Sequence, residues 1–477
     1  MTYVWQALTF ILGGSVSVLN VLLLILVINL FTFKRLYASL SVNTEHSAEG
    51  RPRQPLASTK PAPLAEAPIH CAQTGFSRRV TDQHGSSQKS SPAFLNPPII
   101  HSLQKKTIFL SGRRRQPQAI GATRGEEDGE PFVSILVPAR NEEGCIEACI
   151  RSLVGQKYGP LEVLVLDDQS SDGTALNVQS LIDELPEAQR GRLRLMRGGE
   201  LPLGWIGKNF ACQQLAEQAQ GKYLLFTDAD TIHAPEMIQT VLDYMRQERV
   251  QLLTGQPEHI LGSPGERLIV PLLNFTILTL LPVALIGRRP EPSLATGNGQ
   301  LLCFERTAYE GIGGHAAVKD RILEDVLLAR KIKATGYRMT FIDALELVQC
   351  RMYHSWREVW AGFSKNLFAF YNYSLPFAIL ALVLNLLLFV LPITLLLIAP
   401  FVPMPQHIVL YALVAYALAV TMRILLTLRF VRTQKGSMLI YSFLHPASIV
   451  LECLILVNAI RWRYRKSGTT WKGRQYV

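Results

Sequence analysis

The chain alternates between long stretches without charge and stretches whose apolar residues recur at short, regular intervals. Residues 8–33 are almost wholly apolar and uncharged, enough to cross a bilayer that requires roughly 20 such residues. Residues 131–230 behave differently. Phe132-Val133-Ser134-Ile135-Leu136-Val137-Pro138 reads as a buried strand, and Ile146, Cys149, Ile150 and Leu153 follow it at helical spacing. Strands at 161–166, 193–196 and 223–226 then alternate with helices at 174–185 and 209–220. Such alternation predicts right-handed βαβ crossovers and a mostly parallel α/β sheet of the nucleotide-binding kind. Span-length apolar patterning returns at 375–401 and 408–428 and, interrupted by Pro446 and Glu452, at 438–460.

These patterns divide the chain. Residues 1–36 are expected to be a retained anchor, because the apolar run lacks a basic n-region and exceeds the ~7–15 residues of a signal-peptide core. Lys34 and Arg35 follow it and place the chain beyond them in the cytoplasm. Residues 37–130, rich in Pro, Ser and Gln with basic clusters such as Arg113-Arg114-Arg115, have too little periodic apolar surface to fold and read as a disordered basic linker. Residues 131–372 form the catalytic domain, 373–461 the C-terminal transmembrane or re-entrant helices, and 462–477 a basic tail. The segment 268–287 is nearly span-length but contains Pro271, Asn274 and Pro282. A single crossing there would separate two halves of one site, so it is expected to lie at the interface. A re-entrant 438–460 likewise keeps Arg461, Arg463 and Arg465 inside.

Composition agrees with a membrane protein: 48% of the 477 residues are hydrophobic, and the net charge of +11 suits anionic lipid. No zinc-finger, RNP or helix-turn-helix signature supports nucleic-acid binding. The seven cysteines are odd in number and lack C-x-x-C spacing, which predicts free thiols. G-x-G-x-x-G and G-x-x-x-x-G-K-[ST] are missing from the α/β region, which disfavours dinucleotide and P-loop chemistry.

The predicted strands end instead in acid. Asp167-Asp168-Gln169-Ser170-Ser171-Asp172-Gly173-Thr174 follows the second, and Thr227-Asp228-Ala229-Asp230 the fourth, where open α/β sheets bind ligands. Carboxylates one residue apart suit Mg²⁺ or Mn²⁺, which take phosphate oxygens as further ligands. Ser171, Asp172 and Thr174 also suit a simple helix cap. Gly204-Trp205-Ile206-Gly207-Lys208-Asn209 precedes a helix whose free N–H groups and lysine can meet a phosphate. Residues 321–332 read as an amphipathic helix with Glu324 and Asp325 in its first turn and Ile322, Leu323, Val326, Ala329 and Ile332 as its expected buried stripe.

The series from Val133 through Pro138-Ala139-Arg140-Asn141-Glu142-Glu143, then Asp167-Asp168-x-Ser-x-Asp-x-Thr, then Thr-Asp-Ala-Asp resembles the family 2 glycosyltransferases with the GT-A fold, over about residues 131–370. Gly-Trp-x-Gly-Lys-Asn at 204–209 and Trp-Lys-Gly-Arg-x-Tyr at 471–476 are similar to a membrane-bound branch that includes carotenoid and hopanoid-associated enzymes. The ending hints that the tail folds back toward the site. The resemblance implies a nucleotide-sugar pocket of Pro138, Ala139, Arg140, Glu142, Asp168, Lys208 and Asp228. It implies a divalent metal on Asp230 and Asp228, and Asp325 as the general base. Gly297, Asn298, Gly299, Gln300, Glu324, Arg357, Trp360 and Lys365 would border the acceptor or the diphosphate.

The expected activity is inverting transfer of one sugar, from a UDP- or GDP-sugar, to a hydroxyl of a membrane lipid. The overall likeness points to a carotenoid acceptor, the 2'-hydroxyl of myxol as in cyanobacterial 2'-O-glycosyltransferases, with a hopanoid or ceramide-like lipid as alternative. Localisation would be a plasma or thylakoid-type bacterial membrane. A processive polysaccharide synthase is the rival within the fold, but the Q-x-x-R-W of processive relatives is missing. A non-catalytic membrane scaffold is the rival outside it.

Overall fold

Successive side chains of a strand point to opposite faces of its sheet, and β1 (Val133–Ala139) is apolar on both: Val133, Ile135 and Val137 enter one core, Leu136 the other. The computed structural model describes residues 2–33, 129–432, 434–465 and 469–476. The linker expected at 37–130 therefore lies outside the described residues, except for its last two, as do Lys34 and Arg35.

Seven strands form the main sheet: β1, β2 (Leu161–Asp167), β3 (Leu193–Arg197), β4 (Tyr223–Phe226), β6 (Leu252–Gln256), β8 (Leu302–Glu305) and β9 (Met339–Asp343). Their order is β3-β2-β1-β4-β8-β6-β9. All neighbours are parallel except β8, which runs against β4 and β6. Register carries the functional consequence. Ala139 pairs with Asp167, Leu136 with Phe226, and Phe226 with Leu302. The turns after β1, β2 and β4 thus share an edge with the turn that leads into the antiparallel β8, bringing 296–300 beside the acids. A second, three-stranded sheet of β5 (Thr231–His233), β10 (Val348–Cys350) and β7 (Glu258–His259) lies beyond the Asp228-Ala229-Asp230 turn.

On one face Val163, Val165 and Leu225 join β1 against the helices Ile146–Val154 and Met237–Glu248. On the other, Leu166, Leu224 and Phe226 belong to a single apolar cluster that continues through Phe341 to Leu19, Leu26 and Phe33 of the N-terminal segment. Phe33 stacks on Phe341 with ring centroids 5.4 Å apart.

Among the described residues, three helices are long and apolar enough to cross a membrane: Tyr3–Thr32, Leu375–Ile398 and Gln406–Phe430. Lys435–Phe443 and His445–Arg465 form a pair bent by 74°, a broken span or a re-entrant loop. The apolar segment before β8 forms the helices Pro264–Ile269 and Pro271–Leu280. Ten residues of helix extend about 15 Å, half of a ~30 Å hydrocarbon core, so the second of these does not cross alone. Its end at Pro282 leaves backbone groups without helical partners. Asn29 supplies them: its Nδ2 donates to the Leu278 and Leu281 carbonyls at 2.7 Å each, and its Oδ1 accepts from Val283 N at 3.0 Å. The break at Pro271 is served by Arg423, which donates to the carbonyls of Arg267 (3.3 Å) and Leu268 (3.0 Å).

Three local expectations change. The helix predicted from 321 begins at Glu324, because Leu323 is non-helical (φ −98°, ψ 62°), and Leu328, Ala329 and Ile332 are buried while Ile322, Leu323 and Val326 are only half-buried. The N-cap residue of the helix Thr174–Glu184 is Gly173, and of the three cap candidates Asp172 supplies the bond, its Oδ1 accepting from Thr174 N at 3.0 Å in an Asx turn. Cys145 is disulfide-bonded, whereas the other five described cysteines are free and buried.

Candidate active site

The carboxyl edge of the main sheet gathers six carboxylates: Glu142, Asp168, Asp228, Asp230, Glu324 and Asp325. The chain turns at Asn141 (φ 52°) and Gln169 (φ 57°), left-handed positions that Asn and similar polar residues tolerate. Arg140 crosses between the two turns, donating through Nη1 to the carbonyls of Asp168 and Gln169, the latter at 3.0 Å. Pro138 and Ala139 form the strand end beneath, with the Ala139 carbonyl accepting from Asp168 N at 2.8 Å.

Lys208 stands at the first turn of the helix Gly207–Gln218, whose N-terminus has no side-chain cap. It bridges Asp228 Oδ1 at 2.6 Å and Glu324 Oε1 at 3.0 Å. Burial disfavours its charge, but those two carboxylates outweigh that and hold its pKa well above the ordinary lysine value. Asp230 is the opposite case. Burial raises its carboxyl to about 7, Glu142 and Asp228 push the same way, and Oδ1 is buried without a hydrogen-bond partner. An orphaned carboxylate oxygen among like charges is a position that a cation relieves. Among the described residues no three His, Cys, Asp or Glu side chains converge to hold an ion. Two carboxylates completed by phosphate oxygens are, however, the usual way of binding Mg²⁺, so Asp228 and Asp230 fit such an ion.

Asp325 follows Glu324 in the first turn of the helix Glu324–Ala334. Its Oδ2 accepts from Gly299 N at 3.1 Å and its Oδ1 from Val326 N at 2.7 Å. Burial raises its pKa to about 7; Glu324 adds to the shift and Lys208 opposes it. The 296–300 turn is shaped to this acid. A Cβ on Gly297 would lie 2.5 Å from the Asp325 carbonyl oxygen, so only glycine lets the two backbones approach. Asn298 accepts from Gln300 N at 3.0 Å, and Gln300 donates to Cys350 Sγ at 2.9 Å, tying the turn to the smaller sheet.

Lys365, from the helix Trp356–Phe370, also reaches this cluster. Burial lowers its pKa to about 8, Glu324 partly offsets that, and Lys208 and Lys472 add to the lowering. Trp360 of the same helix is half-buried and packs on the core beneath. Arg357 is exposed, and no hydrogen bond or ion pair among the described residues ties it to the acids.

Sequence reasoning missed two cations. The hairpin of β11 (Thr469–Trp471) and β12 (Arg474–Tyr476) returns across the edge. Its Lys472 ammonium pairs with Glu142, and Arg474 grips Asp168 through two nitrogens, Nη2 reaching Oδ1 at 2.7 Å. Burial still leaves the Asp168 and Glu142 carboxyls above their ordinary pKa despite these partners. The Trp-Lys-Gly-Arg-x-Tyr ending was the available signal, without indication of which acids it meets.

Residues 134–291, which contain the two acidic turns and Lys208, match glycosyl transferase family 2. The chain carries a family 2 glycosyltransferase domain. Relatives include the 4,4'-diaponeurosporenoate glycosyltransferase of Staphylococcus haemolyticus, 27% identical over 246 residues, or 49% of this chain and 60% of that protein. The Staphylococcus aureus (strain USA300) protein of the same name is 26% identical over 244 residues, again 49% of this chain and 60% of its own. The chain thus spans about 60% of the length of either relative, less than two thirds. Among solved structures, the mannosyltransferase PcManGT from Pyrobaculum calidifontis, in complex with GDP-Man and Mn²⁺, is 18% identical, with a TM-score of 0.41 over 70% of this chain and 91% of that one. TarS 1–349 of S. aureus, in complex with UDP-GlcNAc, is 15% identical, with a TM-score of 0.33 over 70% of this chain and 92% of that one. The sheet order and the family match make the glycosyltransferase domain a GT-A fold with apolar helices at either end.

Proposed function

We propose that this protein moves a single sugar from a UDP- or GDP-sugar to a hydroxyl of a membrane-embedded carotenoid, with inversion. One observation carries the reading: Lys208, Asp228, Glu324 and Asp325 meet at the carboxyl edge of a domain whose core is continuous with the apolar helices. The substrate in the relatives' name supports a carotenoid acceptor, and myxol's 2'-hydroxyl is the specific acceptor we assign; a hopanoid or ceramide-like lipid is the alternative. The catalytic domain is assigned to the cytoplasmic side, with the Pro264–Leu280 segment at the membrane surface and the bent pair re-entrant.

In this reading the nucleoside rests on Pro138, Ala139, Arg140 and Asp168. Asp230 and Asp228 would hold a Mg²⁺ or Mn²⁺ ion, which when bound would supply positive charge to the diphosphate. Gly297 to Gln300 and Lys365 border the sugar and the acceptor. Asp325 Oδ takes the proton of the acceptor hydroxyl as its oxygen forms a bond to the anomeric carbon. The bond from that carbon to the diphosphate breaks, and the electron pair leaves on the diphosphate. Lys208 faces the leaving charge, and the backbone N–H of Gly299 keeps Asp325 aimed.

The test is transfer by the purified full chain from UDP- and GDP-sugars to carotenoid acceptors, followed by chromatography of the pigments. Glycosylated pigment is expected with wild type, and a loss of at least about 10²-fold with Asp325→Asn at preserved folding. No product from either donor class overturns the reading. The relatives' substrate name denotes a carboxylate, which needs no base. A carboxylate acceptor is therefore the second reading, and it predicts an Asp325→Asn variant of nearly full activity.

A further inference from the structure

Nothing assigned so far to the donor pocket uses the hairpin of β11 and β12, yet its turn places two cations on pocket acids. The seat is specific. Arg140 Nε donates to the Lys472 carbonyl at 2.8 Å and Asn141 Nδ2 to the same oxygen at 3.2 Å, so the turn is held by its backbone. Gly473 (φ 77°) makes the turn beside Arg140. Gly207 touches the Arg474 guanidinium so closely that a Cβ there would collide with it, and that Cβ would also lie 3.0 Å from Asp168 Oδ2.

Charge bookkeeping separates the lysines. Lys208 is committed to Asp228 and Glu324, on the side of Asp325. Lys472 faces the other side, where Glu142, Asp230 and Asp228 surround it; burial opposes its charge, and these three acids raise its pKa above the ordinary value. Those are the acids assigned to the nucleotide and its metal. An ammonium whose partners are shared with a divalent ion is left facing whatever anion that ion brings.

We propose that the β11–β12 hairpin is a wall of the donor pocket and that Lys472 binds the diphosphate of the nucleotide sugar. Arg474 is a positioning residue: its grip on Asp168 keeps the turn where Lys472 reaches the phosphates. This inference rests on the nucleotide-sugar reading above.

The experiment measures binding of UDP, UMP, GDP and GMP to the full chain in detergent with Mg²⁺, by calorimetry. For the nucleoside that binds, the diphosphate is expected to lose at least about tenfold in affinity with Lys472→Met, the scale of one charged hydrogen bond. The monophosphate should change less than about twofold, and Lys472→Arg should keep most of the diphosphate affinity. Equal loss for both nucleotides would make the hairpin a structural latch, and tighter diphosphate binding would make it an obstructing plug; either overturns the proposal, as does no change. If wild type binds none of the four, the donor reading itself falls, and the proposal with it.

Discussion

Asp325 combines two properties that a base acting near neutrality requires: a fixed aim, from the N–H groups of Gly299 and Val326, and a pKa raised to about 7 by burial and by Glu324. Below that value the carboxyl is protonated and cannot accept. The rate with saturating donor is therefore expected to rise about tenfold per pH unit up to neutrality and then level off. A flat profile between pH 5 and about 8 would remove Asp325 from the proton transfer. The same shift affects folding with a definite sign. A carboxyl raised on folding binds its proton more tightly in the native state, so stability falls as pH rises from its ordinary value through about 7. Asp325→Asn should accordingly melt higher than wild type above neutrality while transferring far less sugar. At this scale the acids were legible, because Asp168, Asp228 and Asp230 end apolar runs. Lys472 and Arg474 were not assignable to their acids, since no local pattern specifies a partner some 300 residues earlier in the chain.

Elements were legible where a period had room to repeat. The first four strands and their helices appear within two or three residues of expectation, whereas β5, β7 and β10 are two or three residues long and carry no readable period. β8 escaped recognition as the antiparallel member because strand direction is not encoded in apolar content. An apolar helix can also hide its most consequential residue. Asn29 is the polar exception in its stretch, and it serves three backbone groups at the Leu281-Pro282 break. With Asn29→Leu each orphaned group costs about 1–3 kcal/mol. A clear drop in the thermal midpoint in detergent, followed by tryptophan fluorescence, is the expected result. An unchanged midpoint would mean that water or lipid head groups serve those groups instead.

For the molecule as a whole, the apolar cluster matters more than any single span. It runs from Leu136, Leu166 and Phe226 in the sheet to Leu26 and Phe33 in the N-terminal helix, and Arg429 of Gln406–Phe430 pairs with Asp343 at the end of β9. Residues 131–372 expressed alone would expose this face to water. The fragment is expected to aggregate or bind a hydrophobic dye strongly, as gel filtration and fluorescence can show; a monodisperse fragment with the full chain's nucleotide affinity would contradict a shared core. The sequence reading treated anchor and catalytic domain as separate blocks because periodicity reports each element's own burial, not the surface it is buried against.

A joint made of continuous apolar packing resists bending. The carboxyl edge of the sheet is therefore expected to keep one height and one tilt relative to the helices, and under the proposed function it would not lean toward an acceptor that sits deeper. Bilayers of different hydrocarbon thickness bring the same reactive group to different distances from that edge. Under the proposed function, membrane thickness is then expected to select substrates as a pocket wall does in a soluble enzyme.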